Sequence, residues 1–435
     1  MSGNATKRKS AIFFIYAAFL GAIVGSFIWA FMRVVSLSID FVWEYIPSQF
    51  NIPFYTIIVC LIGAALIGLF RNIFGDYPET MEVVLAKVKR DGKYQYNKIA
   101  IISLGAFLPL MFGGSLGPEA GLTGVAVGLC YWVGDKLALA GKTLKDFTSM
   151  GISTALGVLF LSPFFGVAAD TEPTTDKDEE FVMPKPSMLA SKVIAALAGV
   201  LLYFLLGKFF GAGMVMPSLA YNEITNYDRL MGVPLIAIGI FFGILYVAFK
   251  KLSWLLFSHM TKTKLLSFVS TLLGGLMLGI FGTVIPFSMF SGEGQISELA
   301  KCYLTYAPWM LILIGVAKLF LTNFCIQSGW KGGNFFPMIF CGVAIGYGFS
   351  MLLGTTPAMT IATITAALLA VTMRQPIAVS ILLLLCFPVR VIPWMIFASF
   401  AAAHLPLPKF LLMKSDIEAM ERKKLKKLEK KSKNK

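Results

Sequence analysis

Charge is scarce in this chain. Only 14% of its 435 residues are Asp, Glu, Lys or Arg, and 57% are hydrophobic. A soluble domain carries roughly a quarter charged residues, so an integral membrane protein is expected. Histidine is scarcer still, with only His259 and His404, far apart in sequence. Without clustered ligands no metal site is expected. The six cysteines (Cys60, Cys130, Cys302, Cys325, Cys341 and Cys386) contain no C-x-x-C pair and are expected to be buried free thiols. No nucleophile–base motif is present, so neither an enzyme nor a cofactor is expected. Alternating strands of about ten residues are also missing, which removes a membrane β-barrel and leaves an all-α fold.

The formal net charge of +15 does not imply nucleic-acid binding. Much of it lies in residues 415–435, with nine Lys/Arg against four Asp/Glu, and the rest in short loops such as Lys87-Val88-Lys89-Arg90 and Lys250-Lys251. The positive-inside rule then places both termini in the cytoplasm. The tail is expected to be a charged helix or a disordered segment near anionic lipid. The apolar run 11–32 is too long for a signal-peptide core and is read as a retained first helix.

Further helices are expected at 53–70, at 99–133 with an interruption, at 151–169 and at 188–210. In the second half they are expected at 231–249, 265–287, 308–326, 335–353, 358–371, 376–387 and 391–412. Several are shorter than the ~20 residues that span a bilayer, so tilted, broken or re-entrant helices are expected. The organisation reads as a basic N-terminus (1–10), a first half (11–210), a linker (211–230), a second half (231–412) and a basic tail (413–435). Within the first half, residues 170–186 form an acidic loop. It reads as a solvated stretch, and its spacing does not match an EF-hand.

Two glycine-rich interruptions stand out. Gly113-Gly114-Ser115-Leu116-Gly117-Pro118-Glu119-Ala120 lies in the first half. Gly329-Trp330-Lys331-Gly332-Gly333-Asn334-Phe335-Phe336-Pro337 lies in the second. Glycine and proline break a helix, and proline is tolerated where one begins. A loop feeding a new helix near Pro118 is expected. If that start lies within the membrane, its free N–H groups and positive dipole end suit an anion. A plain inter-helix turn is the alternative. Paired interruptions in corresponding halves point to a midplane site. Asp76 and Glu79 read first as a capping box.

The ordered set of motifs resembles the CLC family of chloride channels and anion/proton antiporters, over most of residues 10–410. Gly114–Pro118 is similar to the family's G-R-E-G-P, and Gly332–Pro337 to its G-G-I-F-A-P. Lys318, Thr322, Cys325 and Ser328-Gly329 fit upstream of the second motif. Phe242-Gly243-Ile244 with Phe249-Lys250-Lys251 fits the opening of the second half. Arg374-Gln375-Pro376 and Ile392-Pro393 fit the last two helices.

The resemblance implies two inverted-topology halves with tilted, broken and re-entrant helices. It implies a homodimer in a cell membrane, of the bacterial inner or plasma type, with one anion pathway per subunit. It implies transport of a small inorganic anion, chloride first or fluoride, by a member without the family's CBS domains. Ser115, Leu116, Gly117 and Pro118 would contribute to the pathway from the first half. Gly332, Gly333, Asn334 and Phe335 would contribute from the second.

The departures from the family pattern bear on mechanism. Leu116 stands where exchangers place a gating glutamate, and leucine cannot carry a proton, so passive, channel-like conduction is the first expectation. Glu119 is either a helix-dipole partner, worth roughly 0.3–1 kcal/mol, or a displaced gate. The internal proton-relay glutamate aligns at Glu172 or one residue on, and a proton-coupled chloride or fluoride exchanger using Glu119 or Glu172 is the alternative. The family's anion-contacting serine aligns with Gly75, followed by Asp76, and its pore tyrosine is missing near Phe387-Pro388-Val389-Arg390. Arg390 reads as an interfacial anchor or as a source of positive charge. Trp330-Lys331-Gly332-Gly333 resembles the fluoride-exporting branch, which has a glutamate where Asn334 stands. The missing serine, tyrosine and glutamate leave a third reading, a non-conducting membrane interaction or regulatory protein.

Overall fold

Prolines and glycines set where the helices begin and end. The computed structural model describes residues 2–79, 83–84, 96–136, 142–173, 184–211, 224–260, 263–384 and 386–412. The first half contains α1 (Ser2–Asp40), α2 (Tyr55–Phe74), α3 (Ile99–Met111), α4 (Glu119–Lys136), α5 (Lys142–Leu159), α6 (Pro163–Thr171) and α7 (Pro186–Phe210). The second contains α8 (Asn226–Phe257), α9 (Lys264–Val284), α10 (Glu293–Cys302), α11 (Pro308–Ser328), α12 (Phe335–Leu353), α13 (Pro357–Met373), α14 (Pro376–Leu384) and α15 (Ile392–His404). Proline opens α6, α7, α11 and α13, where its missing N–H costs nothing. Gly329 and Gly354 close α11 and α12 in the left-handed region, at φ 112° and 65°, which glycine adopts without strain.

Some boundaries differ from expectation. The first helix runs over Ser2–Asp40, so the basic N-terminal segment belongs to it. The second half opens at Asn226, earlier than 231. Thr225 accepts from the Asp228 N–H there, and the Asp228 carboxylate accepts from the Thr225 N–H, a local signal that overrides hydropathy. Residues 413–435, 212–223 and 174–183 lie outside the described residues, as do Lys87–Arg90.

Among the described residues seven helices, including Tyr55–Phe74, Pro308–Ser328 and Phe335–Leu353, are long and apolar enough to cross a membrane. The polarity of their outward faces agrees. On α2, Ile58, Ile62, Leu66, Leu69 and Ile73 form an exposed apolar stripe, where a soluble helix would be polar. The interior is a continuous apolar core in which α12 and α13 are buried along most of their length. Five of the six cysteines are buried, and none of the six is in a disulfide.

Helix contact in lipid depends on close backbone approach rather than on hydrophobic drive. Gly21 and Gly25 of α1, one turn apart, face Ala195 and Gly199 of α7. A Cβ on Gly21 would lie 2.0 Å from the Ala195 carbonyl oxygen, and one on Gly25 would lie 2.3 Å from that of Gly199. Both partners are backbone and cannot move aside. Gly25→Val is therefore expected to force α1 and α7 apart and to destabilise the fold by about 1–3 kcal/mol, measured as a lower melting temperature in detergent.

Candidate functional site

The two glycine-rich interruptions meet. Gly117 N–H donates to the Gly333 carbonyl at 2.8 Å, and Gly333 N–H donates back to that of Gly117 at 2.7 Å. The pair forms a two-residue antiparallel bridge between the halves. Ser115 Oγ and Thr322 Oγ1, 3.0 Å apart, tie the first loop to α11. Leu116 is fully buried and packs in an apolar cluster with Trp330, Phe112 and Cys325.

Glu119 opens α4, and its carboxylate crosses to the other half. Oε1 accepts from Phe335 N–H at 2.6 Å, with Phe336 N–H at 3.4 Å. These are first-turn donors of α12, which have no partner within their own helix. The side chain lies between the paired glycines. A Cβ on Gly117 would come within 1.9 Å of the carboxylate, and one on Gly333 within 2.1 Å. A side chain on either glycine would displace the carboxylate. Glu119 is 2% exposed, and its second oxygen, Oε2, has no hydrogen-bond partner. A half-satisfied buried carboxylate is costly, and the α12 N-terminus is what holds it.

Of the expected pathway residues, Gly117 and Gly333 turn their amides on each other, so neither N–H is free. Phe335 supplies a usable donor and gives it to Glu119. Gly332 packs against Leu116, whose Cβ would lie 2.7 Å from a Cβ placed there. Asn334 holds the N-cap position of α12 without a side-chain cap hydrogen bond. Its Nδ2 donates to the Tyr246 hydroxyl at 2.7 Å, so a tyrosine of α8, absent from the sequence reading, reaches the site. Pro118 lines a small cleft with Leu110, Phe290 and Ser291.

Glu172 lies elsewhere. It follows α6 and caps α14, accepting from Ile377 N–H at 3.0 Å and Ala378 N–H at 2.7 Å. Rather than a solvated loop charge, it is 9% exposed with both oxygens engaged. Asp76 does not serve as the expected helix cap. Its carboxylate accepts from Arg71 Nε at 2.7 Å and lies 3.6 Å from Lys331 Nζ. Two cations thus face this carboxylate, one from each half. Asp170, expected to begin the acidic loop, instead lies in the last turn of α6 and pairs with Lys192 at 2.6 Å. No group of residues able to hold a metal occurs among the described residues.

Lys318, one turn before Thr322 on α11, is fully buried. Its ammonium donates to the carbonyls of Phe287, Met289 and Phe290 at 2.6–3.0 Å and to Gln295 Oε1 at 3.2 Å. It also lies over the Phe340 ring at 4.7 Å. It anchors the loop leading into α10, whose Phe290 N–H donates to the Gly113 carbonyl.

The family model described as voltage gated chloride channel matches residues 82–406. A relative from Escherichia fergusonii, the ion-transport protein YfeO, is 25% identical over 327 residues, covering 72% of this chain and 73% of the relative. Among solved structures, a slow cyanobacterial Cl−/H+ antiporter superposes with TM-score 0.76 at 18% identity, covering 94% and 97% of the two chains. A CLC-type fluoride/proton antiporter superposes with TM-score 0.72 at 17% identity, covering 91% and 95%. The fold is the all-helical CLC-type one of two inverted-topology halves, with seven helices among the described residues long and apolar enough to cross a membrane, and several shorter ones. With its family model spanning three quarters of the sequence, and the glycine loops paired across the halves, this chain belongs to the voltage-gated chloride channel (CLC) family of membrane ion-transport proteins.

Proposed function

We propose that the protein carries a small inorganic anion, chloride first, across a bacterial cell membrane, and that Glu119 is its gate. The observation that carries this reading is the Glu119 carboxylate on the Phe335 and Phe336 amides. A carboxylate there is chemically equivalent to a bound anion: one negative charge, taken by main-chain donors at a helix N-terminus. An anion can use those donors only when the carboxylate leaves, and protonation weakens its hold by removing the charge.

Passive conduction followed from Leu116 being unable to titrate. The position of Glu119 removes that reason, so proton-coupled movement becomes the favoured mode. Glu172 has both oxygens committed to α14, which favours a structural role over a proton relay. The non-conducting reading loses support for the same reason, because a titratable group stands on helix-start donors that an anion could use.

The test is efflux of chloride, and in parallel of fluoride, from liposomes holding purified protein, with external pH recorded in the same run. Proton movement in fixed ratio to anion movement is expected. Anion efflux with no proton movement would restore the passive reading. No flux from folded protein would restore the non-conducting one.

A further inference from the structure

A second acid is buried beside this site. Glu293, the first residue of α10, is 3% exposed, and its Oε2 has no hydrogen-bond partner. It lies within electrostatic reach of Glu119. The segment before Glu293 packs against both the first glycine loop and α12. Phe290 N–H donates to the Gly113 carbonyl at 3.0 Å. Gly292, at φ 99°, sits so close to α12 that a Cβ would lie 2.7 Å from that of Phe340. Pro118, next to Glu119, and Ser291, two residues before Glu293, line the same cleft of about 10 Å³, which is room for one water.

The surroundings of Glu293 offer it no carboxylate-neutralising partner among the described residues. From α7, Tyr203 lies within electrostatic reach. From α11 comes Lys318, whose ammonium is engaged by the loop carbonyls and Gln295. The titratable groups of α12 nearby are Cys341, which faces Lys318, and Tyr347, which stacks on Tyr303 beyond the end of α10. Glu298 and Lys301 lie further along α10 itself. Two carboxylates buried near each other without a cation between them do not both ionise. A purely structural acid at a helix start would instead have its oxygens on the helix amides, as Glu172 does.

We propose that Glu293 is the proton-exchange partner of Glu119, the two carboxyls holding one negative charge between them. When Glu119 leaves the α12 amides, Glu293 gives up its proton and Glu119 gains it, directly or through one water. Glu293 is then reprotonated from solution through the cleft beside Pro118 and Ser291. This rests on the reading of Glu119 as the gate.

The test compares wild type, Glu119→Gln, Glu293→Gln and Glu293→Asp in liposomes, with anion and proton electrodes. In Glu293→Gln the protons moved per anion are expected to fall about 10- to 100-fold. The pH midpoint of anion flux is expected to stay near the wild-type value, because Glu293 is uncharged while Glu119 holds the shared charge and glutamine is uncharged too. Glu293→Asp should restore part of the coupling. If Glu293→Gln keeps the wild-type ratio of protons to anions while Glu119→Gln loses pH dependence, the gate stands and the partnership is overturned. If Glu119→Gln keeps wild-type pH dependence, the gate itself fails and the partnership with it. Should Glu293→Gln not fold, infrared titration of the wild type decides. A carboxyl still protonated at neutral pH supports the pair, and complete ionisation overturns it.

Discussion

Glu119→Gln is expected to give anion flux that no longer depends on pH, with proton movement reduced to background. Glutamine keeps the shape and keeps a carbonyl oxygen for the Phe335 N–H, so the α4–α12 contact survives in geometry. What is lost is the charge. A hydrogen bond to a charged group contributes about 1.5–3 kcal/mol, against about 0.5–1.5 for a neutral one. The amide's hold on the α12 N-terminus is then weaker by about 1.4 kcal/mol, a factor of about ten in occupancy. An anion competing for the same donors should win more often by that factor, so flux near neutral pH should rise about tenfold. In the wild type, flux should rise as pH falls, because protonation does reversibly what the substitution does permanently. Chloride efflux measured over a range of pH, with a proton electrode in the same vessel, checks both. A variant that keeps the wild-type pH dependence would show that Glu119 only complements the helix dipole.

The site was partly legible in the sequence, and the limits have physical causes. Gly113–Pro118 and Gly332–Pro337 could be read because glycine and proline inside apolar runs carry their conformational meaning locally. Their pairing through Gly117 and Gly333 follows from the inverted halves. Glu119 was identifiable as a titratable group at a helix start. Its partner, however, is a backbone N–H 216 residues away, and main-chain donors leave no mark in sequence. Leu116 suggests an ungated path because position within a motif is read as position in space, and a neighbouring carboxylate can reach the same place. The loop carries the carboxylate three residues later and buries Leu116 against Trp330. Tyr246 and Glu293 were missed for a similar reason. Tyr246 lies inside an apolar helix, and Glu293 is one acid in a short Ser-Gly-Glu-Gly turn. Nothing local separates either from an ordinary interfacial side chain. Asp76 read as a cap because its neighbours fit a capping box, whereas Arg71 lies one turn back on α2 and Lys331 belongs to the other half.

Lys318→Met is expected to lower both stability and transport. Methionine matches the aliphatic stem but donates nothing. Four acceptors now served by one ammonium, the carbonyls of Phe287, Met289 and Phe290 and Gln295 Oε1, would lose their donor inside a dry core. An unsatisfied buried acceptor costs about 1–3 kcal/mol. Removing the buried charge returns its desolvation penalty, which offsets part of this. The carbonyls belong to three nearly consecutive residues and cannot all find new donors, so a net loss of about 2–4 kcal/mol is expected. A melting curve in detergent would register it.

The effect on transport comes by two routes. The loop held by Lys318 bonds the Gly113 carbonyl through Phe290 N–H and leads directly into Glu293. Loosening it should disorder the first glycine motif and the buried acid pair together. Lys318 also stands one helical turn from Thr322, which bonds Ser115, so its charge adds to the potential that draws an anion toward the α12 N-terminus. Salt dependence separates the routes. If charge dominates, anion affinity in Lys318→Met falls while the glycine loops stay ordered, and the loss is greatest at low ionic strength. If anchoring dominates, hydrogen exchange rises across residues 287–293 and 113–118, and the loss of flux is the same at every salt concentration. Wild-type stability and wild-type flux in this variant would show that the ammonium contributes neither, and that its four acceptors are satisfied by water.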